Sequence, residues 1–190
     1  MSGSARLFVA LAPQAELAAE LERRAGEWLA PCAGSVRRYA AEELHLTLCF
    51  LGATERVRIP EIEGALAAVA ARQAPLELCV RGGGAFPGLA RPRVIWAGVE
   101  ERAASSGQLA ALAIEVAHAL GREVEEPFRA HVTLARPRGG ARVRVPEGFA
   151  SLAVEGAWTA GEIVLFESRP EERPRYRALA SWRLAGFNDT

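Results

Sequence analysis

The chain has 190 residues, half of them apolar, with 23 basic and 23 acidic side chains and a formal charge of zero. That length supports one compact domain over residues 1–190 with a sizeable core, and the charge balance excludes the global positive field of a strong non-specific nucleic-acid binder. Every basic residue is arginine, which excludes lysyl nucleotidyl transfer, Schiff-base chemistry and a Walker phosphate loop, all of which need a lysine.

Arg6 to Ala12 reads as a strand, after which Pro13 opens a helix whose Leu17, Leu21, Ala25, Trp28 and Leu29 recur at helical spacing. Pro31 and Gly34 end it, and Val36 to Ala40 forms a short strand. Leu44 to Leu51 is the next strand, expected to stop at Gly52, and Pro60 to Gln73 the second helix. Pro75 breaks that helix before a strand at Leu76 to Arg81, and Gly82-Gly83-Gly84 is expected to be a loop. A strand at Arg93 to Val99 leads to a helix over Ala104 to Leu120 with the stripe Leu109, Leu112, Ala113, Val116 and Leu120. Phe128 to Leu134 is a further strand, Arg136 to Gly148 carries no assignment, and strands close the chain near Leu152 to Trp158, Glu162 to Glu167 and Tyr176 to Leu184. Strand-helix-strand units occur twice. This predicts an α+β fold of two pseudo-symmetric lobes, each an antiparallel sheet with outer helices, around a central cleft.

Two of the three histidines occupy the same frame, His45-Leu46-Thr47-Leu48 and His131-Val132-Thr133-Leu134. With five threonines in the chain, chance places one two residues after a given histidine about 3% of the time, and after two of three histidines about 0.2%. Side chains alternate along a strand, so each His and Thr share a face while the apolar residues between them enter a core. The third histidine, His118, falls about 180° from Leu109 around its helix, on the solvent side.

Two imidazoles across a cleft suit phosphoester cleavage. A neutral ring takes a proton from the attacking oxygen, and a protonated ring gives one to the departing oxygen. The ordinary histidine pKa near ~6.5 lets both forms exist at neutral pH. The hydroxyls of Thr47 and Thr133 can donate to non-bridging phosphoryl oxygens as charge develops. Spacing alone leaves open which histidine is the acid. Asp189 is the only aspartate, next to the end of the chain, and no His/Cys/Glu group has ligand spacing, so the expected reaction uses no metal and no cofactor. Cys32, Cys49 and Cys79 are odd in number and unpaired by spacing, and read as buried small hydrophobes. The absence of a signal-peptide pattern and of any apolar run of about 18 residues predicts a cytoplasmic protein without a membrane association.

At these residues the chain resembles the 2H phosphoesterase superfamily, and within it the RNA 2′,3′-cyclic phosphodiesterases, also called 2′-5′ RNA ligases. The likeness extends to Arg6-Leu7-Phe8-Val9-Ala10-Leu11, Phe50-Leu51-Gly52, Ala85-Phe86-Pro87, Arg91-Pro92-Arg93-Val94-Ile95-Trp96, Ala135-Arg136 and Leu165-Phe166-Glu167-Ser168. The resemblance implies an enzyme acting on RNA or oligonucleotide ends that carry a 2′,3′-cyclic phosphate, and a monomer is expected. His45 would be the proton donor and His131 the acceptor that activates water, leaving a 2′-phosphate. It also implies that Arg136 helps hold the phosphate. An offset of three from Thr133 points Arg136 to the opposite strand face, so a bend or the strand's end near Pro137 must redirect it, unless it is a surface arginine ahead of a proline. Tyr39 stands where the family often has an aromatic; packing under the motif is favoured over stacking on a base. Arg38 and Arg93 are candidates for nucleotide phosphates, or else solvated arginines. The same site run in reverse gives 2′-5′ RNA ligation. A third reading is a non-catalytic RNA-end binding module, which would tolerate loss of either histidine.

Overall fold

The first strand, β1 (Ser4–Leu11), is apolar almost throughout because it lies inside the sheet, with β3 (Leu46–Glu55) on one side and β8 (Glu162–Ser168) on the other. The computed structural model describes residues 3–102, 107–123, 128–139, 141–146, 148–151 and 153–187. The other strands are β2 (Val36–Arg38), β4 (Leu76–Phe86), β5 (Val94–Glu101), β6 (His131–Pro137), β7 (Ala153–Ala160) and β9 (Tyr176–Arg183). Among the described residues, nine strands form one antiparallel sheet in the order β7-β4-β5-β6-β3-β1-β8-β9, with β2 added to β6. Reading outward from the β6/β3 junction, each half has four strands and begins with a motif strand. The halves meet through a single partner pair, Leu46 with Val132.

Among the described residues three α-helices cover the sheet: α1 (Ala15–Trp28), α2 (Ile59–Ala70) and α3 (Gln108–Ala119). Each buries an apolar stripe, for α3 Leu109, Leu112, Ala113, Val116 and Ala117, while His118 is exposed. Glu101 takes the role of an N-cap for α3, accepting from the N–H groups of Gly107 and Leu109 at 2.7 and 2.9 Å. Two of these helices, α1 and α3, cross between halves, while α2 stays with the half of β3 that precedes it. α1 follows β1 in the chain yet packs on β6, β7 and β2, whereas α2 and α3 pack on β8, β9 and β3.

Several expected boundaries move: the second motif strand, expected over Phe128 to Leu134, runs from His131 to Pro137, and the short strand expected to reach Ala40 ends at Arg38. The first motif strand does not stop at Gly52 but runs to Glu55. Leu7 pairs with Gly52 and Phe8 with Phe50, so a bulge absorbs Leu51, and Gly52 takes φ 69°, which glycine adopts without a Cβ clash. Gly82-Gly83-Gly84 is not a loop but part of β4, with Gly83 opposite Ala97 and Gly84 opposite Trp96. A Cβ on Gly84 would lie 2.3 Å from the Trp96 ring, so here glycine serves close packing against a large neighbour rather than a turn. Of the cysteines, Cys49 is buried while Cys32 and Cys79 are only partly so. The starts expected at Ala104 and Leu152, and Asp189, lie outside the described residues. No described helix is long and apolar enough to cross a membrane.

Candidate active site

His45 sits between a short 3-10 turn, Ala41–Glu43, and the start of β3, and its Nδ1 lies 2.8 Å from the Glu43 carbonyl oxygen. His131, the first residue of β6, repeats the arrangement with the Arg129 carbonyl at 2.7 Å. A carbonyl only accepts, so each ring donates its Nδ1–H backwards by two residues. The Nε2 of each neutral ring is thereby left as the proton acceptor.

The Leu46–Val132 pair sets the rest of the site. In antiparallel strands one step back on one chain faces one step forward on the other, so His45 lies opposite Thr133 and Thr47 opposite His131. All four share one face, and the intervening Leu46 and Val132 are fully buried on the other. The histidines occupy diagonal positions, about 7–8 Å apart in such a pair, a separation that one phosphate with a hydrogen bond on each side can span. Thr47 and His131 line a cavity of about 330 Å³ with Phe50, Phe86 and Phe128.

Aromatic rings enclose both imidazoles. His45 packs against Phe8 at 4.7 Å, Tyr176 at 4.9 Å and Phe166 at 6.0 Å between centroids. His131 packs against Phe86 at 5.1 Å and Trp96 at 5.9 Å. Burial pushes His45 down from its ordinary value to about 4; the Glu43 carbonyl opposes this, and the positive charges of His131 and Arg136 add to it. His131 is also lowered, by burial first and by Arg136 in addition, against the pull of the Arg129 carbonyl.

Arg136 acts on both rings despite its odd offset from Thr133. In the β5/β6 pairing, Trp96 faces Thr133 while Ile95 faces Ala135, so Leu134 is the extra residue of a bulge. The bulge resets the alternation and returns Arg136 to the face of Thr133. Its Nε donates to the Tyr39 hydroxyl at 3.2 Å, a group that also accepts from Arg37 at 3.2 Å. Tyr39 itself is buried and stacks on Tyr176 at 6.1 Å, in keeping with packing beneath the motif. Arg38 is not brought to the histidines: its guanidinium lies against Gly26 of α1. Arg93 lines a separate cavity.

Sequence reading missed Tyr176, Glu43 and Arg175. The buried Glu43 carboxylate accepts from Arg175 Nη1 with both oxygens, at 2.8 and 2.9 Å, and from the Arg175 and Ala40 backbone N–H groups at 3.0 and 3.3 Å. On α1, Glu22 accepts from the Ala41 N–H at 2.9 Å. These bonds fix the turn whose last carbonyl orients His45. A charged pair 132 residues apart in the chain leaves no local pattern to find. Among the described residues no group of three or more His, Cys, Asp or Glu side chains is arranged to hold a metal ion.

A family profile described as the 2′-5′ RNA ligase superfamily matches residues 12–170. An RNA 2′,3′-cyclic phosphodiesterase of Geobacillus stearothermophilus is 36% identical over 150 residues, covering 78% of this chain but only 48% of that protein. One from Escherichia coli is 33% identical over 192 residues, covering 97% of this chain and 99% of its own. Among solved structures, TT0787 of Thermus thermophilus superposes with a TM-score of 0.78 at 27% identity, over 96% of this chain and all of that one. E. coli LigT complexed with 3′-AMP gives 0.72 at 26% identity, over 96% and 99%. With both motif strands inside the matched region and the α+β sheet shared with these structures, the chain belongs to the 2′-5′ RNA ligase superfamily.

Proposed function

We propose that the protein hydrolyses 2′,3′-cyclic phosphate ends of RNA to 2′-phosphates, with His45 and His131 as an acid–base pair and without a metal ion. The observation that carries the reading is the diagonal placement of two imidazoles, each held by the same backbone bond and each beside a threonine hydroxyl. The full-length E. coli relative carries the name of this activity. His131 Nε2 takes a proton from water, whose oxygen attacks phosphorus. The bond from phosphorus to the 3′-oxygen breaks, and His45 Nε2 protonates that oxygen. Thr47 and Thr133 donate to the non-bridging oxygens, and Arg136 adds positive charge. Family likeness supports the division of roles between the two rings, and the open cavity beside His131 gives water its entry.

The test is turnover of a nucleoside 2′,3′-cyclic phosphate in excess chelator, with phosphorus NMR of the product. Wild type is expected to give the 2′-phosphate. Each of His45→Ala and His131→Ala is expected to lose ~10²–10⁴-fold, with the double variant scarcely worse because the two groups act in one transition state. Tight binding of the RNA end without turnover, or rates within a few-fold of wild type in both single variants, would overturn the reading.

A further inference from the structure

A second cavity, of about 550 Å³, is lined by Ala90, Arg91, Pro92, Arg93, Pro137 and Arg142 among others. Arg91, Arg93 and Arg142 make no salt bridge or side-chain hydrogen bond with any described residue, whereas Arg23, Arg56, Arg72 and Arg175 are each matched by a glutamate. Three unmatched guanidinium groups around one cavity make a strong local positive field in a protein of zero net charge. Guanidinium forks pair bidentately with phosphate oxygens, and phosphate is the anion that recurs along the RNA of the hydrolytic reading.

The cavity begins where the candidate active site ends. Pro137 follows Arg136 directly on β6, and Arg93 stands three residues before Trp96, the residue that packs on His131 and pairs with Thr133. At about 3.3 Å per residue those offsets put Arg93 roughly 10 Å from Trp96 and Pro137 roughly 13 Å from Thr133, the scale of a short run of nucleotides. The Phe86 carbonyl accepts from the Arg93 N–H at 2.7 Å, which ties the arginine-bearing hairpin to the ring that flanks His131.

We propose that this cavity is a second phosphate site, which holds the backbone of the RNA on the 5′ side of its cyclic end and gives the enzyme a preference for oligonucleotides over mononucleotides. The proposal rests on the hydrolytic reading above. It assigns the cavity no part in the chemical step.

Initial rates should be compared for a nucleoside 2′,3′-cyclic phosphate and a short oligoribonucleotide with the same end, as a function of salt. Wild type is expected to favour the oligonucleotide, with an advantage that fades as salt rises. In Arg91→Gln/Arg142→Gln, kcat/KM for the oligonucleotide is expected to fall ~10-fold or more and its log–log salt slope to flatten by about 1.4, at about 0.7 per lost contact on single strands. The mononucleotide rate should stay within about twofold, the level expected when no contact to it is lost. Each single variant, with half the effect, keeps the test open if the double variant folds poorly. Equal losses on both substrates, or no loss on the oligonucleotide, would overturn the proposal while leaving the hydrolytic reading in place. No turnover of either substrate by wild type would instead remove that reading.

Discussion

His45 shows how much a single side chain's surroundings matter. With its pKa held near 4 chiefly by burial, and His131 lowered as well, the ligand-free protein carries two neutral imidazoles at neutral pH. The pair therefore reaches its one-proton state below the ordinary histidine range. We expect a bell-shaped dependence of kcat/KM on pH with its maximum below about 6.5, because kcat/KM reports the free enzyme. A bound anionic phosphate favours imidazolium, so the maximum for kcat should lie at higher pH; steady-state profiles of both constants check this. Stability follows the same linkage. As pH falls from 6.5 toward 4, the unfolded chain takes up a proton that folded His45 refuses, so native stability declines across that window by roughly 3 kcal/mol. Urea unfolding at several pH values should show the decline, and His45→Gln should flatten it. For the hydroxyls, Thr47→Ala and Thr133→Ala are each expected to lower kcat about 10–10²-fold, with Ser at either position retaining most of the rate. Equal losses for Ala and Ser would assign the threonine to packing.

At the scale of the element, bulges and one buried ion pair aim the side chains. The bulge at Leu134 brings Arg136 to the face of Thr133, and the Glu43–Arg175 pair clamps the turn that orients His45. Breaking a buried pair from one side leaves a charge without its partner, at about 3–5 kcal/mol. Glu43→Ala should therefore lower the urea midpoint strongly. In the milder Glu43→Gln, kcat should fall more than KM rises, with a shift in the limb of the pH profile that belongs to His45. A change confined to stability would show that the clamp does not position the ring. In β4, Gly84→Val places a side chain in the Trp96 ring and should cost about 1–3 kcal/mol, read from thermal unfolding.

The whole molecule is two similar half-sheets interlocked by their helices. Because α1 covers the half that carries the second motif, fragments 1–75 and 76–190 are each expected to lack cooperative unfolding by circular dichroism. The sequence by itself determined the apolar periods of strands and helices, the paired His-x-Thr frames and the exposure of His118, because each of these is written in spacings of two to four residues. It also showed that Arg136 needs redirecting, by a bend or by the strand's end near Pro137, though not that a bulge at Leu134 does it. The run of β4 through three glycines was hidden, since glycine in a strand and glycine in a turn look alike until the facing Trp96 is known. The register that sets His45 opposite Thr133, the clamp from Arg175, the helix crossing and the arginine cavity were decided only in three dimensions. Each joins residues far apart in the chain, and such contacts are selected by the shared core that forms between them, which no local pattern encodes.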